Sequence, residues 1–202
     1  ARVVFADIET LHMTLDAASL ESLITPKTRA ILAVHIYGNP CDMDALKTIV
    51  KERDLYLIED CAQATGAEYK GSRVGGVGHI GCFSFFPTKN LGAIGDGGMI
   101  TTKDSELFQK MLRLRQYGWD DERNCQFPGY NSRLDELQAA VLRIKLRHLN
   151  EKNKKRNVIA VQYTRLLSGT GITTPSPRDK CLHAFHLYVI RTRDRDNLLQ
   201  KL

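Results

Sequence analysis

The sequence predicts an α/β fold with a parallel sheet whose strand ends carry ligand-binding loops. Three observations predict it. Apolar runs at Ala30–Val34 and Leu55–Ile58 flank a segment in which Met43, Leu46, Ile49 and Val50 recur at helical spacing, giving strand, helix and strand within about thirty residues. The second run ends directly in Glu59-Asp60-Cys61-Ala62-Gln63, so acidic groups sit where open α/β sheets meet ligands. Residues 66–98 hold ten glycines around the compact stretch Cys82-Phe83-Ser84-Phe85-Phe86.

Each element follows in order. Val3–Ile8 reads as a short strand, and Ala1–Asp7 as a start in mid-strand, which suggests a piece of something longer. Asp16–Leu23 supplies a helical turn or two. Gly38-Asn39-Pro40 breaks the chain, and Asp42 is the expected N-cap of the first helix. Pro87 ends the aromatic stretch, Gly98–Thr102 is a further strand, and Ser105–Arg115 is amphipathic. Arg133 to Leu167 is a long helical stretch, with a break expected near Asn150–Asn157 and Ser132 as its N-cap. Leu134, Leu137, Val141, Ile144 and Leu149 form its expected buried stripe. Thr173–Pro177 is a linker, Phe185–Arg191 a strand and Arg195–Leu202 the start of a helix. Two domains are expected: residues 1–167 as a large domain, and residues 168–202 as a linker and the start of a small one.

Composition narrows the classes of function. The chain has 202 residues, 43% hydrophobic and 26% charged, which supports a packed core and excludes a disordered chain or a coiled coil. No apolar run approaches the ~20 residues that cross a bilayer, and no signal peptide opens the chain. Five cysteines at wide spacing, without a C-x-x-C, argue against a disulfide framework or a zinc site and for reduced thiols in the cytoplasm. The net charge of +6 is uneven: residues 1–102 hold 9 basic and 12 acidic side chains, and residues 103–202 hold 20 and 11. The basic run Lys152–Arg156 has no interleaved aromatics, so a solvated helix face explains it better than nucleic-acid binding. His35, His183 and His186 lack metal-ligand spacing and are expected to be structural or close to substrate.

Three segments carry candidate chemistry. Placement alone leaves Glu59 to Gln63 open as a ligand contact or a solvated strand end. Lys89 lies among aromatics and glycines. A buried lysine there would lose charge and become a nucleophile suited to Schiff-base chemistry, while an exposed lysine on a glycine-rich loop is the simpler alternative. Ser84 and nearby backbone N–H groups suit a phosphate. Asn131 stands just before a helix start and is open to an anion. No P-loop or dinucleotide fingerprint occurs.

Five ordered segments together resemble a known family: Val34–Gly38, Glu59–Gln63, Gly81–Gly92, Gly95–Gly98 and Asn131–Ala140. They are similar to the PLP-dependent sugar aminotransferases of the DegT/DnrJ/EryC1/StrS type, over Val3 to Leu202. The resemblance implies a three-layer α/β/α PLP-dependent transferase large domain with the start of a small C-terminal domain, truncated at both ends. It implies that Lys89 holds pyridoxal 5'-phosphate covalently, Asp60 pairs with the pyridine nitrogen, Gln63 contacts the ring hydroxyl face and Ser84 binds the phosphate. It further implies that Asn131 reaches the phosphate of the neighbouring subunit, so that a homodimer shares its active sites. The implied reaction moves an amino group, usually from glutamate, to a keto group of a nucleotide-linked deoxysugar. The Asn131–Glu136 and Leu142–Leu146 segments are most similar to members acting at C-3 of a dTDP-3-keto-6-deoxyhexose. A C-4 nucleotide-sugar aminotransferase and a truncated, non-catalytic homologue are the alternatives. His79 departs from the family pattern, in which an acidic residue is common at that place.

Overall fold

The computed structural model describes residues 1–202. Its centre is a four-stranded sheet in the order β1 (Ala30–Val34), β2 (Tyr56–Asp60), β5 (Ile80–Ser84), β6 (Gly98–Thr102). β1, β2 and β5 run parallel, and β6 returns antiparallel to β5. The expected parallel sheet is therefore mixed. No crossover helix lies between β5 and β6, and a parallel pairing needs one. A small second sheet pairs β3 (Glu68–Tyr69) with β4 (Ser72–Arg73) and with β7 (Cys181–Leu182).

The expected β1–helix–β2 unit is present. Helix α1 (Met43–Arg53) starts where the Asp42 side chain accepts from the Ala45 N–H at 3.2 Å and ends at Asp54, which has a left-handed φ of 50°. Its Met43, Leu46 and Val50 pack in one core with Ile31, Ala33 and Leu57. Alternation along the strands sends these residues to one face of the sheet. The opposite face of the sheet leaves Leu32, Tyr56 and Ile100 exposed.

Helix α2 (Ser105–Leu114) is capped by Asp104, which accepts from Glu106 and Leu107. α3 (Glu136–Leu146) and α4 (Leu149–Leu166) replace the single long helix. The break falls at Arg147–His148, not within 150–157. That later stretch stays helical, with Asn153 donating to the Thr65 carbonyl and Asn157 to the carbonyls of Asn153, one turn back, and His183. Asp135 rather than Ser132, three residues earlier, is the N-cap of α3: the Asp135 carbonyl accepts from the Ala139 N–H. The expected stripe holds only in part. Leu149 is buried with Leu142, Phe85, Leu91 and Ala93 in a second core that Leu134 packs against, while Leu137 and Ile144 are exposed.

Two expected strands do not form. Val3, Val4 and Phe5 are exposed, and the segment pairs only through one bridge between Ile8 and Leu15. In Phe185–Arg191 the N–H groups of His186 and Leu187 go to the Tyr37 carbonyl, and that of Ala184 goes to Gly38. Those donors are unavailable to a ladder. The closing helix α5 spans Arg195–Lys201. No helix is long and apolar enough to cross a membrane.

Candidate active site

The site lies at the carboxyl ends of β2 and β5. Asp60 pairs in register with Cys82, and the Cys61 N–H donates to the Cys82 carbonyl at 2.8 Å. Ser84 lies two residues beyond Cys82 and so shares the sheet face of Asp60. The two side chains therefore meet the same edge and the same side. Asp60 uses Oδ1 to accept from the Ala62 N–H at 2.9 Å, leaving Oδ2 free. Burial, and then the Asp60 charge, push the Cys82 thiol up. Ser84 Oγ accepts from the Phe86 N–H at 3.3 Å and keeps its own proton to donate.

The β5–β6 connection carries Lys89 and is tied down on several sides. The Lys89 N–H returns to the Phe86 carbonyl at 2.9 Å, and the Ala93 N–H to Phe85 at 2.7 Å. From α3, Gln138 Oε1 accepts from the Ile94 and Gly95 N–H groups, and Lys145 Nζ donates to the Gly92 carbonyl at 2.6 Å. Lys89 itself is half-buried, between the two sequence alternatives, and its amine takes no hydrogen bond or ion pair within the chain.

Gln63 closes the third side. Its Oε1 accepts from the Tyr37 N–H at 2.7 Å, which leaves its amide N–H groups free to donate. Tyr37 is held at a φ of 60°, beside the Gly38 turn. The Tyr37 carbonyl accepts from the His186 N–H at 2.9 Å, and His186 Nδ1 lies 3.2 Å from Asn90 Oδ1. Gln63, Tyr37, His186 and Asn90 thus link the β2 end to the residue after Lys89.

The structure places Asp60, Gln63, Ser84 and Lys89 at or just beyond the carboxyl ends of β2 and β5, and Asn131 outside these segments. Asn131 is exposed and bridges Gln116 after α2, with no hydrogen bond to any of the four. Glu59 also leaves the expected ligand edge. It is fully buried on the helix-covered face, where its carboxylate accepts from the N–H groups of Gly75, Val77 and Gly78 and lies 3.0 Å from His35 Nε2. Burial raises its pKa, but the hydrogen bonds from His35, Gly78 and Gly75 outweigh that and hold the carboxyl below its ordinary value. The Cys41 N–H donates to His35 Nδ1 at 3.0 Å, so the His35 proton sits on Nε2 and is donated to Glu59. His35, Glu59 and Cys61 place their ligand atoms within 4.8 Å of one another, yet those of His35 and Glu59 are already engaged in protein hydrogen bonds. His35 is therefore a structural histidine. His79 accepts from the Leu57 N–H through Nδ1 at 2.9 Å and finishes the amino end of β2.

The sequence reading missed Asn90 and Tyr37, and it gave His186 no specific role. Their links run between residues far apart in sequence, and no local pattern signals them. The basic run on α4 is not wholly solvated either: Asn153 is buried and Arg156 donates to the Phe185 carbonyl at 3.0 Å.

Asp60 and Ser84 on one face at the carboxyl ends of β2 and β5, with Gln63 and Lys89 in the loops that follow those strands, have the layout of a ligand-binding α/β domain. The chain belongs to the DegT/DnrJ/EryC1/StrS aminotransferase family, whose sequence profile matches residues 1–202. It is 47% identical over 201 residues to a pleiotropic regulatory protein of Geobacillus stearothermophilus, covering 98% of this chain and 54% of that one. It is 46% identical over 192 residues to the dTDP-3-amino-3,4,6-trideoxy-alpha-D-glucose transaminase of Streptomyces venezuelae, covering 95% of this chain and 51% of that protein. The crystal structure of DesV of S. venezuelae in complex with a ketimine intermediate superposes with a TM-score of 0.94 at 45% identity, covering 96% of this chain and 53% of that one. The chain thus spans about half the length of the relatives it matches.

Proposed function

We propose that the protein is an aminotransferase that uses pyridoxal 5'-phosphate to move an amino group, from a glutamate-type donor, to C-3 of a dTDP-linked 3-keto-6-deoxyhexose. The observation that supports this reading is the placement of Asp60 and Ser84 on one face of the strand ends, with Gln63 and Lys89 in the loops that leave those strands. The donor set fits the cofactor: an amine for its aldehyde carbon, an anion for its ring nitrogen, and O–H and N–H donors for its oxygens. The name of the S. venezuelae relative, a 3-amino sugar transaminase, supports position 3 over position 4.

Bound pyridoxal 5'-phosphate supplies an electron sink through which an amino group passes from donor to acceptor. The chain's residues do the rest. Lys89 would hold the cofactor through Nζ and would move a proton at that atom as acid and base. Asp60 Oδ2 would keep a proton on the ring nitrogen. Ser84 would donate its hydroxyl proton to the phosphate, and the Gln63 amide would donate to the ring hydroxyl oxygen. Asn131, exposed and unengaged with its own chain's site, serves the neighbouring subunit of a homodimer. Residues 1–167 form the cofactor-binding large domain, and residues 168–202 lead into a smaller one.

The test is spectroscopic first. Titration of the purified chain with pyridoxal 5'-phosphate should give an absorption band that borohydride removes and that Lys89→Ala lacks. The loaded protein, given glutamate and a panel of dTDP- and UDP-keto-sugars, should form a 3-amino sugar detectable by mass spectrometry. No Lys89-dependent band at saturating cofactor favours the non-catalytic alternative. Amination confined to 4-keto sugars refutes the C-3 assignment.

A further inference from the structure

Lys89 stands on a loop that the sheet alone does not hold. Residues 85–97 join the antiparallel strands β5 and β6. The loop closes on itself through Phe85 N–H to the Gly97 carbonyl at 2.8 Å, Lys89 N–H to Phe86 at 2.9 Å and Ala93 N–H to Phe85 at 2.7 Å. The Ile94 and Gly95 N–H groups find no backbone acceptor. Backbone donors outside a ladder need side-chain partners. The Lys89 amine has no partner in the chain, so its place follows from the backbone of this loop.

Helix α3 supplies the missing partners. Gln138, Leu142 and Lys145 follow one another by four and three residues, which puts them on one face of the helix. Gln138 Oε1 accepts from the Ile94 N–H at 2.9 Å and from the Gly95 N–H at 3.3 Å. Two N–H donors settle which way that amide points. Leu142 is buried in the second core with Phe85, Leu91 and Ala93. Lys145 Nζ donates to the Gly92 carbonyl at 2.6 Å and makes no ion pair. Just before the helix, Leu134 fits against Gly97, where a Cβ would lie 2.9 Å from Leu134 Cδ1. The two polar residues are about 10 Å apart along the helix axis, so the loop is held at two points and not hinged at one.

We infer that Gln138 and Lys145 are positioning residues for Lys89: they clamp the returning arm of the lysine loop to α3 and so fix where the Lys89 amine is presented. The functional meaning rests on Lys89 being the cofactor lysine. The clamp is separable from the stability of the helix. Leu142 anchors α3 in the second core on its own, so loss of one polar contact frees the loop and leaves the helix in place. Neither side chain reacts; each acts through the loop backbone.

The test uses the full chain without cofactor. Gln138→Met and Lys145→Met each remove one polar contact and keep a good helix former. Gln138→Glu keeps an oxygen acceptor for the two N–H groups. Arg143→Met is the control, at an exposed position of α3 that makes no hydrogen bond or ion pair. A limiting pulse of acetic anhydride, read lysine by lysine by mass spectrometry, reports how open Lys89 is. Hydrogen exchange over residues 87–97 reports the loop. In both Met variants Lys89 acetylation and loop exchange should quicken by about three- to tenfold, the effect of one lost hydrogen bond on a local opening. The other lysines and the β1–β2 ladder should keep their parent rates. Gln138→Glu should restore the parent rates, and Arg143→Met should leave them unmoved. A Lys89 rate unchanged in both Met variants, a rise shared by all lysines, or no recovery in Gln138→Glu overturns the inference. None of these measurements uses pyridoxal 5'-phosphate. A chain whose Lys89 quickens as expected but which shows no Lys89-dependent band keeps the clamp and loses the proposed function. A chain with the band and an unmoved Lys89 rate loses only the clamp.

Discussion

Glu59 and Asp60 share a peptide bond and face opposite sides of β2. Glu59 is buried on the side covered by α1, with His35 and three backbone N–H groups as its partners. Asp60 faces the open side, beside Cys82 and in line with Ser84. Neighbouring acids thus take separate places, one clamping the glycine-rich 75–78 turn to the sheet and one on the face proposed to meet the cofactor.

Isosteric amides should separate the two. In Asp60→Asn the amide oxygen can still accept from the Ala62 N–H, so stability should stay within about 0.5 kcal/mol. Turnover should fall by about two to four orders of magnitude, as expected when a proton-holding group is lost. In Glu59→Gln the side chain cannot satisfy all the donors that converge on it, and the folded state should lose about 1–3 kcal/mol for each donor left unpaired. Urea denaturation and steady-state kinetics on both variants check this. An Asp60→Asn enzyme with unchanged turnover would remove Asp60 from the mechanism.

Acid stability carries a second signature of Glu59. Its folded pKa lies below the ordinary 4.5, so its contribution is fully present above that unfolded value and is lost as pH falls through the folded value. Denaturation midpoints measured down the acid limb should therefore drop more steeply in the parent protein than in Glu59→Gln. Parallel curves would show that Glu59 is not held ionised.

The β1–α1–β2 unit was legible in the sequence because strand period, helix period and the Asp42 cap are all local signals. The lysine loop was legible because its glycines and aromatics are adjacent in the chain. The direction of Glu59 was open to the same period-two logic, since Leu57 and Glu59 must share a face. The remaining features depend on distant partners. The unbroken helix across 150–157 has Asn153 and Asn157 on it, whose partners include carbonyls at Thr65 and His183. The missing strand at 185–191 reflects capture of the His186 and Leu187 N–H groups by the Tyr37 carbonyl. His186 and Asn90 are 96 residues apart, and nothing near either one announces the other.

His183 should dominate stability over a different pH window. Burial pushes its pKa from 6.5 to about 3, and its Nδ1 accepts from the Phe185 N–H at 2.8 Å. Between about pH 6.5 and pH 3 the unfolded chain binds a proton that the folded chain does not. Stability should therefore decline as pH falls through that window, with a slope approaching about 1.4 kcal/mol per pH unit. His183→Asn keeps an acceptor for Phe185 but does not titrate. It should be less stable at pH 7, having lost the stack on the Phe185 ring at 3.9 Å, and flatter between pH 6.5 and 3. Equal slopes in the two proteins would refute the assignment.

Gly92 sets the shape of the lysine loop without contributing a functional group. A Cβ there would lie 2.3 Å from the Pro87 carbonyl oxygen and 2.7 Å from its carbon. Both are backbone atoms, so relief requires the loop itself to move, and Lys89 and Asn90 lie between the two colliding positions. The Lys145 amine, which donates to the Gly92 carbonyl, would have to follow or let go. Gly92→Ala should consequently cost about 1–3 kcal/mol, the range for forcing an added methyl into a packed site. It should weaken cofactor binding at Lys89 more than Gly71→Ala does, because a Cβ at Gly71 meets nothing within 4 Å. Gly71 has a φ of 83°, so its alanine variant carries backbone strain without steric collision and serves as the control for destabilisation alone. Cofactor affinity and denaturation midpoints measured on both variants separate the two effects. If Gly92→Ala binds the cofactor as tightly as Gly71→Ala at matched stability, the loop's shape is not what positions Lys89.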